Sequence, residues 1–258
     1  MTNRVKILKD KFSQSLGLPF QNLLPQSEIQ KVLDELKIKY RQRLFDPIVT
    51  VWAFLSQVLE PDKSCHNATS RVISYLVGEK VELPSTSSSA YCQARARLPE
   101  ELLQKLFGKV AQDLEEKVPV EYLWCGRHVK VIDGSTVSMP DTPESQEVYP
   151  QPKSQKPGCG FPIAKIGVIF SLATGAAVAL VIDVLTTHDL KLARQLYQFL
   201  NPLDLLLGDR AFCAYADIVA IKKLNCDVVF RKHQARKTSM RKGKIIGDCD
   251  LLCDLGQT

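Results

Sequence analysis

Between Ile166 and Ile182, seventeen consecutive residues carry no charge. A run of that kind leaves water either by crossing a membrane or by entering a folded core. Its middle, Ala173-Thr174-Gly175-Ala176, decides between the two. On either side stand Ile166, Val168, Ile169 and Phe170, then Val178, Val181 and Ile182, all β-branched or aromatic. The segment therefore reads as two buried strands joined at Thr174-Gly175, at about 165–173 and 177–185, and no membrane partner is expected. A chain that buries two such strands must build a sheet around them.

The flanking pattern supplies the rest of that sheet. His128 to Asp133 alternates and then turns apolar, as a strand does. Thr186-Thr187-His188-Asp189 caps a helix with the face Leu190, Ala193, Leu196, Tyr197 and Leu200, which Pro202 stops. Leu205 to Asp209 is a short buried strand, Ala214–Leu224 a helix and Asp227 to Phe230 a last strand. The order β-β-β-α-β-α-β gives a mixed sheet with a meander half and a parallel half, which is the ribonuclease-H-like order. Some other three-layer α/β domain is the alternative from pattern alone. Between the first two strands, Ser138 to Lys165 holds six prolines and two glycines, and a connection that long is usually functional or disordered.

Before Pro119 the apolar period is helical. Ser27-x-x-Gln30 reads as a capping box ahead of Ile29, Val32, Leu33, Leu36 and Tyr40. Asp46-Pro47 reads as cap and first position of a helix with the stripe Ile48, Val51, Trp52, Leu55 and Leu59. Further helices are expected near Ala68–Val77, from the serine run 85–89 through Arg95 and Arg97, and from Pro99 through Leu114. The expected architecture is α + α/β: a helical bundle over residues 1–118, then an incomplete ribonuclease-H-like mixed β-sheet domain over 119–258. Trp52 and Trp124 are expected in the core.

Composition excludes collagenous, disordered and mucin-like classes, since 45% of the 258 residues are hydrophobic and 24% charged. Eight cysteines without a C-x-x-C, and no apolar stretch in Met1 to Lys11, point to reduced cytosolic thiols rather than a disulfide framework or a zinc site. The net charge of +6 permits nucleic acid without requiring it, but its placement is uneven. Residues 231–244 carry seven Lys/Arg and no acid: Arg231, Lys232, Arg236, Lys237, Arg241, Lys242 and Lys244. They read as a phosphate-contact strip for double-stranded DNA, or as a solvated hairpin or tail.

Two acids carry the chemistry. Asp133 ends the first strand and Asp209 ends the fourth, and in a ribonuclease-H-like sheet those strands are neighbours. Facing carboxylates repel unless a cation joins them, and Mg²⁺ (or Mn²⁺), with hard oxygen ligands and retained waters, suits the pair. The bland reading is that each Asp only turns the chain.

The segment Val131-Ile-Asp-Gly-Ser-Thr-Val-Ser-Met-Pro-Asp-Thr-Pro143 resembles the first-aspartate motif of bacterial DDE transposases of the insertion-sequence-four type. Tyr149-Pro-Gln-Pro, Gln155 to Pro162, Leu206 to Asp217, Val51 to Leu59 and Ala90 to Leu98 are similar to further pieces of that family, in order, across about residues 20–245. The resemblance implies a helical region that helps bind transposon ends and a ribonuclease-H-like domain. With three acids and Mg²⁺, that domain cuts DNA and joins it to a target. Asp133 matches the first acid and Asp209 the second. The third lies in Tyr-x-x-Arg-x-x-x-Glu-x-x-x-x-x-x-Lys, which this sequence lacks; after Asp209 its acids are Asp217, Asp227, Asp248, Asp250 and Asp254. The expectation is a transposase interrupted near Gly247, bacterial, cytoplasmic and nucleoid-associated, forming a homo-oligomer, with no strand transfer of its own. The rivals are a non-catalytic DNA-binding fragment that inhibits transposition and a product without a role.

Overall fold

The computed structural model describes residues 4–8, 24–77, 80–156, 158–232, 244–245 and 251–252. The chain divides into two compact units, Met1–Asp113 and Leu114–Thr258.

The first unit is helical: α1 (Gln26–Glu35), α2 (Pro47–Leu59), α3 (Cys65–Ser74), α4 (Ser89–Ala96) and α5 (Glu100–Glu116), the last running on into the second unit. Asp46 caps α2 as its sequence predicts. Its Oδ1 accepts the Val49 N–H at 2.9 Å, and Pro47 fills the first position, where a missing N–H costs little. Ser64 does the same for α3 through Asn67 N–H at 3.1 Å. Helices of eight to thirteen residues, such as α1–α4, are marginal alone. They are held by one cluster that includes Ile29, Leu33, Ile48, Trp52, Val72 and Tyr91, each worth about 1.5–3 kcal/mol on burial. The capping box at Ser27 does not form. Pro25, already extended, occupies the cap, so Ser27 falls inside the first turn and Gln30 donates to Asp34 at 2.9 Å instead.

The second unit is built on a five-stranded sheet: β1 (Val129–Ser138), β2 (Ile163–Ser171), β3 (Ala177–Val184), β4 (Leu205–Gly208) and β5 (Asp227–Phe230). Its order is β3-β2-β1-β4-β5, with β1/β2 and β2/β3 antiparallel and β1/β4 and β4/β5 parallel. That is the expected ribonuclease-H-like order. Helix α6 (Pro143–Val148) lies in the β1–β2 connection, α7 (Asp189–Leu196) joins β3 to β4, and α8 (Tyr215–Lys223) joins β4 to β5. A two-stranded ladder, β6 (Lys244–Ile245) with β7 (Leu251–Leu252), follows. Ile132, Ile169 and Leu206 meet Leu196 of α7 and Ile221 of α8 in one core. Gly167 lets α7 approach: a Cβ there would stand 3.2 Å from Leu192 Cβ. The apolar runs supply a second face as well. On that face Phe170, Leu180, Ile182 and Val229 are exposed.

Two expectations are corrected. Strand β1 does not end at Asp133. It pairs with β2 as far as Ser138–Ile163, because β2 begins early enough to keep its partner extended. Trp124 is 57% exposed rather than core. It bridges Arg127 across a tight turn in which Cys125 and Gly126 both take positive φ. The proline-rich connection is ordered through its glutamines. Gln146 donates to Asp141 at 2.8 Å and to Gly160 O at 3.0 Å, and Gln151 Oε1 accepts the N–H groups of Gly158 and Gly160 at 3.1 and 3.2 Å. Among the described residues no helix is long and apolar enough to cross a membrane.

The root of β1 is anchored by buried charge. Lys130, 2% exposed, pairs with Glu115 at the end of α5, and His128 Nδ1 stands 3.3 Å from the same carboxylate. Burial pushes the Glu115 carboxyl up. The hydrogen bonds from Lys130 and Ser171 and the nearby positive charges outweigh burial and hold it below its ordinary value.

Candidate active site

Asp133 sits within β1, opposite Val168 of β2, with its side chain exposed. Its Oδ1 accepts the N–H of Gly134 at 2.8 Å. Asp209 follows the last residue of β4 and caps the 3-10 turn Arg210–Phe212, its Oδ1 accepting the Ala211 N–H at 2.8 Å. The parallel register pairs Val131 with Leu207. Two residues further along from that pair stand Asp133, within β1, and Asp209, just past the end of β4. Both predicted acids thus follow the last registered β1–β4 pair, at the sheet edge where β4 ends.

Each carboxylate has one oxygen held by a nearby backbone N–H, and among the described residues neither is in an ion pair. Two exposed like charges brought together repel, and a divalent cation offsets that repulsion. The donors are hard oxygens, and two of them fit a Mg²⁺ or Mn²⁺ ion that keeps its other positions for water and substrate. Among the described residues no group of three or more His, Cys, Asp or Glu is arranged to hold a metal.

The start of the basic strip lies beside this edge. Arg231 N–H donates to Gly208 O at 3.3 Å, one residue before Asp209, and the Arg231 and Lys232 side chains are exposed. Lys244 is exposed on β6. Arg236, Lys237, Arg241 and Lys242 lie outside the described residues, as do Asp248, Asp250 and Asp254.

The remaining later acids serve the scaffold. Asp217, 1% exposed, accepts two bonds from Arg194 at 2.8 and 2.9 Å and one from the Tyr197 hydroxyl at 3.3 Å, tying α8 to α7. Burial, reinforced by the Asp217 charge, pushes the Tyr197 phenol above its ordinary value. Asp227 pairs with Lys222 and Arg127, which hold its carboxyl low.

Sequence patterning missed one acid near the edge. Asp189 reads there only as part of a cap. In the structure His188 is the cap, its Nδ1 accepting the Leu190 N–H at 3.3 Å. Asp189 turns instead to Lys165 of β2, with its Oδ1 2.7 Å from Nζ. Its one sequence signal is a lysine interrupting an apolar strand, and the partner emerges only from the fold.

Residues 14–108 match the family described as insertion element 4 transposase N-terminal, and residues 124–250 match the transposase DDE domain family. The chain is 26% identical over 206 residues to the transposase InsG for insertion sequence element IS4 of Escherichia coli (strain K12), covering 80% of this chain and 44% of that protein. Solved structures with some similarity include a piggyBac transposase synaptic complex with hairpin DNA. It is 10% identical with a TM-score of 0.37, over 92% of this chain and 52% of that one. Another is a Mos1 transposase paired-end complex with the left transposon end, 14% identical with a TM-score of 0.26, over 83% and 60%. The chain spans about half the length of the relatives it matches. With both family models matched in order and together covering most of its length, the chain belongs to the insertion-element-4 family of DDE transposases.

Proposed function

We propose that this chain supplies the end-binding helical region and two of the metal-binding carboxylates of a DNA transposase. The observation that supports the reading is the parallel β1–β4 pairing, whose last registered pair, Val131 with Leu207, is two residues short of Asp133 and Asp209. In this reading residues 1–118 contact transposon ends, and 119–258 form the catalytic sheet up to the third acid. The protein works on double-stranded DNA in the bacterial cytoplasm, at the nucleoid, as a homo-oligomer.

Asp133 and Asp209 hold Mg²⁺ or Mn²⁺ through the oxygens their backbone bonds leave over. The bound ion supplies charge stabilisation for displacement at a DNA phosphate. The Gly134 and Ala211 N–H groups fix the two carboxylates in place. Arg231 and Lys232 neutralise the DNA backbone next to that edge, and Arg236, Lys237, Arg241, Lys242 and Lys244 add further phosphate contacts that set its register. Strand transfer needs a third carboxylate to fix in-line geometry, and every 1.36 kcal/mol of transition-state stabilisation lost is tenfold in rate.

A second reading is a non-catalytic DNA-binding fragment that inhibits a longer transposase. The lack of Tyr-x-x-Arg-x-x-x-Glu-x-x-x-x-x-x-Lys in the sequence favours it. One experiment separates the two: incubate the chain with supercoiled plasmid carrying its element's ends, with Mg²⁺ or EDTA. Cleavage that needs Mg²⁺ and disappears in Asp133→Ala supports the enzyme. Retained end binding without cleavage supports the fragment. Absence of both refutes the DNA function.

A further inference from the structure

The carboxylates that would hold the ion stand on separate supports, one on a strand and one on a turn, so something must fix their separation. Helix α7 touches both supports. A shallow surface dip is lined by Asp133, Gly134, Asp189, Leu192 and Phe212 among others. Gly134 follows Asp133 and orients it through its N–H. Phe212, 4% exposed, closes the turn that Asp209 caps. Helix α7 thus borders the supports of both acids.

The first turn of α7 is clamped to the sheet by a cation on β2. Lys165 Nζ stands 2.7 Å from Asp189 Oδ1 and donates to Thr187 O at 2.9 Å, so it holds both sides of the helix start. Lys165 lies opposite Thr136 of β1, three residues beyond Asp133. Asp189 Oδ1 stands 3.4 Å from where a Cβ on residue 134 would be. The Asp189 carboxylate thus lies beside Gly134, the residue after the first acid.

We propose that Lys165 and Asp189 are positioning residues that set the spacing of Asp133 and Asp209 and hence the affinity of the edge for a divalent cation. The proposal rests on the reading of that edge as a metal site. The pair is partly exposed, with side chains 19% and 37% accessible, so its net contribution to stability is small. Its effect is on position. Residues that orient metal ligands typically change metal affinity 10–100-fold when replaced.

The test is Mn²⁺ titration of the whole chain, read by the loss of the free-ion electron paramagnetic resonance signal, with a thermal melt of each variant. Asp189→Asn and Lys165→Met are each expected to raise the Mn²⁺ dissociation constant about tenfold with nearly unchanged melting. The charge swap Lys165→Asp/Asp189→Lys is expected to restore it. Unchanged affinity in both single variants overturns the proposal. A swap that fails to restore affinity while the melt is unchanged also overturns it, since Asp189 then acts as a ligand and not through the pair. Mn²⁺ binding that survives Asp133→Asn overturns the metal site itself, and that outcome is distinct from failure of the clamp alone.

Discussion

Replacing Glu115 by Gln leaves the Lys130 ammonium, only 3% accessible, facing an uncharged amide. Breaking a buried pair from one side typically costs about 3–5 kcal/mol, because the remaining charge stays desolvated. Asp204 also senses the Lys130 charge and softens the loss, which places the expected cost near the low end, about 3 kcal/mol. In a unit of this size that lowers the melting temperature by about 6–12 °C. Removing both charges at once, Glu115→Leu/Lys130→Met, should cost far less than the two single changes together, since packed apolar groups replace a buried pair nearly neutrally. The pH dependence has a fixed sign. The folded Glu115 carboxyl lies below its ordinary value, so its contribution is fully present above the unfolded carboxylate pKa, about 4.3. It is lost as pH falls through the lower folded value. Glu115→Gln should therefore flatten the acid limb of a stability–pH curve measured by urea denaturation. A cost under about 1 kcal/mol, or single changes that simply add, would refute the account of β1 as anchored by this charge.

Alanine at Arg236, Lys237, Arg241 and Lys242 together should weaken DNA binding on every sequence and reduce the salt slope by about 0.9 for each phosphate no longer neutralised; fluorescence anisotropy across a salt series checks this. Asp217→Ala strips the buried Tyr197 hydroxyl of its acceptor and frees α8 from α7, an expected loss of about 2 kcal/mol in chemical denaturation. Gly208→Ala sets a Cβ 2.9 Å from the Phe230 ring and 3.0 Å from Ile132 Cγ2, which should cost about 1–3 kcal/mol and weaken metal binding at the adjacent Asp209. Ile182→Thr, on the exposed sheet face, should shift the melt by little.

The strand order was legible because it rests on local signals: apolar runs, two of them broken at Thr174-Gly175. What stayed hidden depends on partners distant in sequence. The far end of β1 is polar and exposed, and it is extended only because β2 pairs with it to Ser138. Ser27 has the right spacing for a capping box, but Pro25 takes the cap position first. Trp124 is large and apolar, yet it stands exposed beside a two-residue turn. Lys165 and Asp189 look ordinary in the chain and meet only when α7 folds onto β2.

If Asp133 and Asp209 together hold a divalent cation, isothermal titration of Mn²⁺ into the chain, beside Asp133→Asn and Asp209→Asn, reads it out. Saturable binding that either substitution abolishes is expected, with both variants still folded by circular dichroism. Equal binding in all three proteins, or none in the parent chain, would contradict it.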